Sequence, residues 1–129
     1  TVAWPNDKLL LLNYVVQCLI ENNVSSAKLL KQFRMHYVEL ATQKFSSHVV
    51  EKCLKHYPES QSEIVSELLS VPNFEYLVHD PYGNYVIQTA LAETKGLARE
   101  RLVEKVHRFG KLKSSPYCKK IFSKTTLKR

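Results

Sequence analysis

The sequence predicts an all-α chain of stacked helical repeats, and three observations predict it. Eight-residue stretches beginning at Asn13, Ser47 and Asn84 align without a gap, at spacings of 34 and 37 residues, which is the size of a helical repeat unit. Placed on a helix at about 100° per residue, each stretch has two faces. In the middle copy Val49, Val50, Cys53 and Leu54 point one way for packing, while Ser47, His48 and Glu51 point the other way, towards something outside. Glycine is scarce, 3 residues in 129 against a usual share of about 7%, so glycine-built turns and phosphate loops have little material. Prolines stand where helical runs start or stop: Pro58 and Pro72 bracket one segment, Pro81 precedes Tyr82 and Pro116 precedes Tyr117.

Taken in order, residues 1–5 are a lead-in to a helix from about Asn6 to Glu21, which Asn22-Asn23 breaks. Ser25 or Ser26 caps a short helix through Phe33, whose stripe is Ala27, Leu29, Leu30 and Phe33. A second short helix, Met35 to Ala41, leads into Lys44 to Leu54. Pro58 and Glu59 open a helix with Ile64, Val65, Leu68 and Leu69 on its apolar stripe. The pattern then restarts with a short helix holding Phe74, Tyr76, Leu77 and Val78, a turn at Asp80-Pro81, and the third copy over Tyr82 to Glu93. Gly96 allows a turn before a charged helix around Leu97 to Phe109, with Leu102, Val103, Val106 and Phe109 apolar. The segment Pro116 to Ser123 aligns with Pro81 to Gln88 at a spacing of 35 and keeps only the packing face, since Lys119, Lys120 and Ser123 replace the Asn/Tyr/Gln set. That is what a terminal capping unit requires. The expected division is an incomplete repeat over 1–33, repeats over 34–70 and 71–109, and a cap over 110–129.

With 129 residues and 44% apolar composition the chain fills one ordinary domain with a packed core. Cys18, Cys53 and Cys118 fall in different units with no C-x-x-C pair, which argues for buried or half-buried thiols in a reducing compartment over a disulfide framework or a zinc site. His36, His56, His79 and His107 share no metal-ligand spacing. No metal and no cofactor are expected. No signal peptide and no run of about 18 apolar residues occurs, so a soluble cytoplasmic protein with no membrane partner is expected. The net charge of +7 is concentrated at one end. Residues 105–129 hold nine basic and no acidic side chains, and residues 1–104 hold ten basic and twelve acidic ones.

The candidate site is a set of triplets at i, i+1 and i+4: Asn13/Tyr14/Gln17, Ser47/His48/Glu51 and Asn84/Tyr85/Gln88. Each combines two hydrogen-bonding side chains on one helical face with a flat ring beside them. Stacked repeats turn the triplets into a ladder suited to single-stranded RNA, whose unpaired bases stack on rings and expose their Watson–Crick edges. Guanine presents N1–H and N2–H donors that the Glu51 carboxylate can accept together, and uracil presents a donor between two acceptors that an amide can match.

The runs Asn13-Tyr14-Val15-Val16-Gln17, Lys44 to Cys53 and Asp80 to Gln88 resemble the base-reading helices of Pumilio/PUF RNA-binding repeats, in the order of the last three repeats and the C-terminal cap. The resemblance implies a right-handed α-solenoid of three-helix repeats that reads one base per repeat, with the RNA antiparallel to the protein. It also implies uracil at Asn84/Gln88, guanine at Ser47/Glu51 and uracil at Asn13/Gln17, that is 5′-UGU-3′, with Tyr14, His48 and Tyr85 as stacking platforms. A role in post-transcriptional control of mRNA, through 3′ untranslated regions and protein effectors of repression or decay, follows from the resemblance alone.

Other readings compete with these. Glu51 beside Lys52 and Lys55 also fits a solvated, salt-bridging acid. Lys119 and Lys120 fit phosphate contacts or a cover for the end of the solenoid, and the sequence leaves both open. Ser47 next to His48 suggests a nucleophile and base, but adjacent helical residues diverge by about 100°, so no enzyme is expected. A protein-binding solenoid of the HEAT or armadillo kind is the alternative function. If the chain is truncated at its N-terminus, the apolar surface left around the first helix favours self-association.

Overall fold

Apolar side chains at helical spacing decide the architecture. The computed structural model describes residues 6–23, 27–108, 119–121 and 123. Among the described residues are eight long or short helices and no strand: α1 (Asn6–Glu21), α2 (Ala27–Phe33), α3 (Tyr37–Ala41), α4 (Ser46–His56), α5 (Pro58–Leu69), α6 (Phe74–His79), α7 (Gly83–Glu93) and α8 (Gly96–His107). The three recurring stretches lie on α1, α4 and α7. α4 packs against α1 on one side and α7 on the other, so these three form a row. α5 packs against α4 and α8, and α7 against α8, so that α5 and α8 form a second row behind the first. The short helices α3 and α6 each lean on the member of the first row that follows them. A short helix followed by two longer ones therefore recurs, as a helical solenoid requires.

The core lies where the rows meet. Val49, Val50, Cys53 and Leu54 of α4 and Val86, Ile87, Ala90 and Leu91 of α7 are completely buried, with Leu9 and Val16 of α1 and Ile64 and Leu68 of α5. Each fully buried aliphatic side chain contributes on the order of 1.5–3 kcal/mol. Burial also pushes the Cys53 thiol up to about 12, with Glu59 adding to the effect, which leaves it protonated and unreactive. Cys18 departs from expectation, because it is exposed. It lies on the side of α1 that no described helix covers. Two further apolar positions face outward instead of packing, Ala27 on α2 and Tyr76 on α6.

Helix boundaries follow the expected punctuation within two residues, with instructive differences. α1 ends at Glu21 and Asn23 takes a positive φ of 52°, a conformation that asparagine tolerates better than most residues. α3 begins at Tyr37 and not at Met35, whose φ is 73°. The reason lies 30 residues away: the Glu67 carboxylate of α5 accepts hydrogen bonds from the backbone N–H of Met35 (2.7 Å) and of Tyr37 (3.0 Å). A side chain from another helix thus supplies the cap that the local sequence lacks. Gly96, at φ 65°, makes the turn into α8. The proposed caps Ser25 and Ser26, and the apolar Phe109, lie outside the described residues. So does most of the expected C-terminal cap, within which Ile121 is fully buried.

α7 starts at Gly83, one residue after Tyr82. Asp80 Oδ2 accepts hydrogen bonds from Tyr82 N–H (3.0 Å) and Gly83 N–H (2.7 Å), closing the turn. A Cβ at Gly83 would stand 3.0 Å from the Leu77 carbonyl oxygen, so the glycine allows a close approach of backbone to backbone. In the middle copy Ser46 occupies this register and its hydroxyl donates to the Leu40 carbonyl at 2.7 Å.

Asp80→Ala should lower unfolding free energy by about 1 kcal/mol, read as a reduced urea midpoint at constant slope. In thiol labelling of the native protein followed by peptide mass mapping, Cys18 should react and Cys53 should stay unlabelled until denaturant is added.

Candidate nucleic-acid interface

Because α1, α4 and α7 lie side by side, their corresponding residues line one surface. The ring at i+1 points outward in every copy: Tyr14 is 73% exposed, Tyr85 is 45% exposed and His48 is exposed. The neighbouring hydrogen-bonding residues are recessed. Ser47 and Asn84 are buried, Gln88 nearly so, and Asn13, Gln17 and Glu51 half-buried. This corrects the expectation of a wholly outward polar face: packing on both flanks of the row leaves room for the rings to protrude but sinks the residues beside them.

The third triplet is a closed network. Asn84 Nδ2 donates to the carbonyl oxygens of Asp80 (2.8 Å) and Pro81 (3.0 Å), and Asn84 Oδ1 accepts from Gln88 Nε2 at 3.0 Å. Both Asn84 N–H donors are therefore committed to the preceding turn, and its oxygen holds Gln88. Gln88 Oε1 accepts no hydrogen bond among the described residues, so the group free to meet a ligand here belongs to Gln88. A buried amide without such partners would carry a desolvation penalty, so the network is a condition of burial.

The middle triplet differs in chemistry and in shape. Ser47 Oγ donates to the Lys44 carbonyl at 3.3 Å, and serine is a smaller side chain than the asparagine at the corresponding position 84. A cleft of about 460 Å³ opens between the two repeats, lined by Ser47, His48, Glu51, Pro81, Tyr82 and Tyr85. Glu51 Oε1 accepts from Thr89 Oγ1 of α7 at 2.6 Å, and Glu51 Oε2 lies 3.8 Å from His48 Nδ1. Lys52 does not pair with Glu51. It turns to α1, where Nζ donates to Asn13 Oδ1 at 2.7 Å. Burial holds the Lys52 ammonium below its ordinary range, with Glu21 partly opposing the shift.

In the first triplet Asn13 and Gln17 are not joined. Asn13 is taken by Lys52, and Gln17 Nε2 donates to Glu21 Oε1 at 3.1 Å. Three residues in this surface escape a triplet-based reading. Thr89 and Lys52 reach in from the following repeat, which one helical wheel cannot reveal. Tyr82 lines the cleft, and a signal for it existed, since Leu11 and Phe45 stand at the same register. At the C-terminal end Lys119 and Lys120 are exposed, and Lys120 Nζ sits 5.8 Å from the centroid of the Tyr85 ring. That is a cation–π distance, so Lys120 belongs to this surface.

Ser47 Oγ is directed to a backbone carbonyl and not to His48, so the pair makes no nucleophile and base. Among the described residues no group of three or more His, Cys, Asp or Glu side chains could hold a metal ion, and no helix is long and apolar enough to cross a membrane.

Comparison with known proteins accounts for this repeating surface. The Pumilio-family RNA binding repeat matches residues 36–69 and 73–107, which contain the middle and third triplets. The chain belongs to the Pumilio family. It is 74% identical over 117 residues to Pumilio homolog 9 and 61% identical over 117 residues to Pumilio homolog 11, both from Arabidopsis thaliana; each alignment covers 91% of this chain and 21% of the relative. A Pumilio domain-containing protein of Schizosaccharomyces pombe is 37% identical over 116 residues, covering 87% of this chain and 17% of the relative. The chain thus spans about a fifth of the length of these Pumilio proteins. Among solved structures, the Puf4 RNA binding domain bound to the HO endonuclease RNA 3′ UTR recognition sequence superposes with a TM-score of 0.75 at 30% identity, over 92% of this chain and 42% of that one. A Puf4 mutant bound to the Cox17 RNA 3′ UTR recognition sequence gives a TM-score of 0.76 at 28% identity, over 92% and 45%. The solenoid of three-helix Pumilio repeats is thereby the fold.

The Asn84 network predicts that Asn84→Ala, which strands Gln88 and two backbone carbonyls, lowers stability by about 1–3 kcal/mol. An exposed asparagine would cost no more than about 0.5 kcal/mol, so thermal or urea unfolding separates the two placements.

Proposed function

We propose that the chain is a sequence-specific single-stranded RNA-binding module reading 5′-UGU-3′, with uracil at α7, guanine at α4 and uracil at α1. The observation that carries the reading is the row of α1, α4 and α7, which sets protruding rings beside recessed hydrogen-bonding groups in a chain of Pumilio-family RNA binding repeats. The RNA 3′ UTR recognition sequences bound to Puf4 support the ligand class and the mRNA region. Tyr14, His48 and Tyr85 supply stacking worth about 1–3 kcal/mol per base.

At α4 the Glu51 carboxylate accepts N1–H and N2–H of guanine as charge-assisted bonds, in the cleft that the small Ser47 leaves open. At α7 Gln88 Oε1 accepts the uracil N3–H, while Asn84 holds the amide in place. At α1 Asn13 and Gln17 read the second uracil. Lys120, beside Tyr85, supplies positive charge for the phosphates at the 5′ end of the triplet, and Lys119 adds to it. On this reading the chain divides into an incomplete repeat at 1–33, repeats at 34–70 and 71–109, and a cap at 110–129. The biological role that follows is cytoplasmic control of mRNA translation or stability, with protein effectors recruited by a longer Pumilio chain.

Titration of labelled UGU-containing RNA against a UCU control at fixed salt should show preference for guanine at the central base. Binding that ignores that base would count against base reading and favour a protein-binding role for the solenoid. Ser47→Asn combined with Glu51→Gln should move the central preference from guanine to uracil, by about 1–3 kcal/mol in discrimination. Leu10, Leu11 and Val15 of α1 are 49%, 65% and 43% exposed, an apolar strip that favours self-association. Light scattering should show mass rising with concentration, and Leu11→Glu should suppress the rise.

A further inference from the structure

Thr89 stands one residue beyond Gln88, is nearly buried, and belongs to no triplet. Hydroxyls in and just after helices commonly bond back to the carbonyl four residues earlier, and at the helix C-caps of this chain they do: Thr42 to Val38, Ser70 to Ser66 and Thr94 to Ala90. Thr89 does not. Its hydroxyl crosses to the preceding repeat and donates to Glu51 Oε1 at 2.6 Å. Lys52 occupies the same register on α4, one residue beyond Glu51, and it too reaches the preceding repeat, donating to Asn13 Oδ1 at 2.7 Å. Two successive repeats therefore place a donor at this register on a reader of the repeat before.

We propose that this register holds positioning residues, and that Thr89 sets the Glu51 carboxylate for guanine. The inference rests on the reading of Glu51 as the guanine reader. Glutamate has three rotatable bonds, and a half-exposed one samples several rotamers, each aiming the carboxylate differently. Thr89 is β-branched and stiff in a helix, so its hydroxyl is a fixed point. Anchoring Oε1 leaves its second lone pair, and Oε2, which lies 3.8 Å from His48 Nδ1, for the N1–H and N2–H of a guanine in the cleft that Glu51 lines. Adenine presents an acceptor at N1 in that place, and a carboxylate that cannot swing away repels it. The hydroxyl therefore contributes to discrimination and not only to affinity.

The test measures binding of the 129-residue chain to two labelled RNAs that differ only in a central UGU or UAU, at one salt concentration. Wild type should favour UGU. Thr89→Val should lower the UGU:UAU ratio by about 5- to 30-fold, at or below the roughly 10- to 150-fold effect of a lost hydrogen bond to a charged group, and Thr89→Ser should restore it. Thr89→Ala should behave as the valine variant does and serves if that variant fails to fold. In a Glu51→Gln background, Thr89→Val should leave the ratio unchanged. A wild-type preference for UGU that survives both Thr89→Val and Thr89→Ala overturns the positioning role while leaving the guanine reading intact. Equal loss of affinity for both RNAs has the same consequence, because it marks a purely structural side chain. No wild-type preference at all overturns the guanine reading, and this inference with it.

Discussion

Burial of α4 on both flanks is the constraint from which the recognition surface follows. Val49, Val50, Cys53 and Leu54 are all fully buried because α1 and α7 flank α4 while α3 and α5 pack on it as well. A helix packed on two sides keeps a narrow strip of free surface, and the 100° advance per residue decides who occupies it. His48 protrudes from that strip, while Ser47 beside it is buried and Glu51 is half-buried. The same geometry repeats at α7 with Tyr85 outside and Asn84 and Gln88 within. Polar atoms so placed must be bonded before any ligand arrives, and bonded atoms are already aimed. Preorganisation of the reading edge is thus a by-product of packing.

The parts of this arrangement that were legible in the sequence are those that depend on period alone. Spacings of 34 and 37 between Asn13, Ser47 and Asn84 identify the repeat, and the apolar positions of α4 and α7, with Ile64, Val65 and Leu68 of α5, are buried where the wheel places them, Leu69 being partly buried. Helix limits came within two residues because Asn22-Asn23, Pro58, Asp80-Pro81 and Gly96 act locally. The illegible parts depend on partners distant in sequence. No window around Met35 contains Glu67, whose carboxylate caps α3 from 30 residues away. Nothing near Asn84 marks it as buried, since that follows from carbonyls freed at the turn before α7 and from the helices on either side. A wheel gives direction but not neighbour, so Lys52 reads as a companion of Glu51 when it belongs to Asn13.

Charge is distributed to the same end. The first 104 residues are slightly acidic and the last 25 carry nine basic side chains. An acidic side chain such as Glu51 repels a polyanion at long range, and the basic end offsets that repulsion. Lys120 brings this charge directly to the surface by resting on the Tyr85 ring. The ammonium and a stacked base are compatible there, because a ring has two faces and an edge.

The bonds that cross from one repeat to the previous one, Lys52 to Asn13 and Thr89 to Glu51, bear on how such a chain can be re-engineered. If each repeat carried its whole specificity within itself, repeats could be exchanged like type in a line of print. Here Asn13 and Glu51 are each bonded to a side chain of the repeat that follows, Lys52 and Thr89. A graft that transfers the triplet without its downstream neighbour would lose these bonds, and the energies of combined grafts would not add. The natural unit of transfer is a triplet-bearing helix together with the first two turns of the corresponding helix in the next repeat.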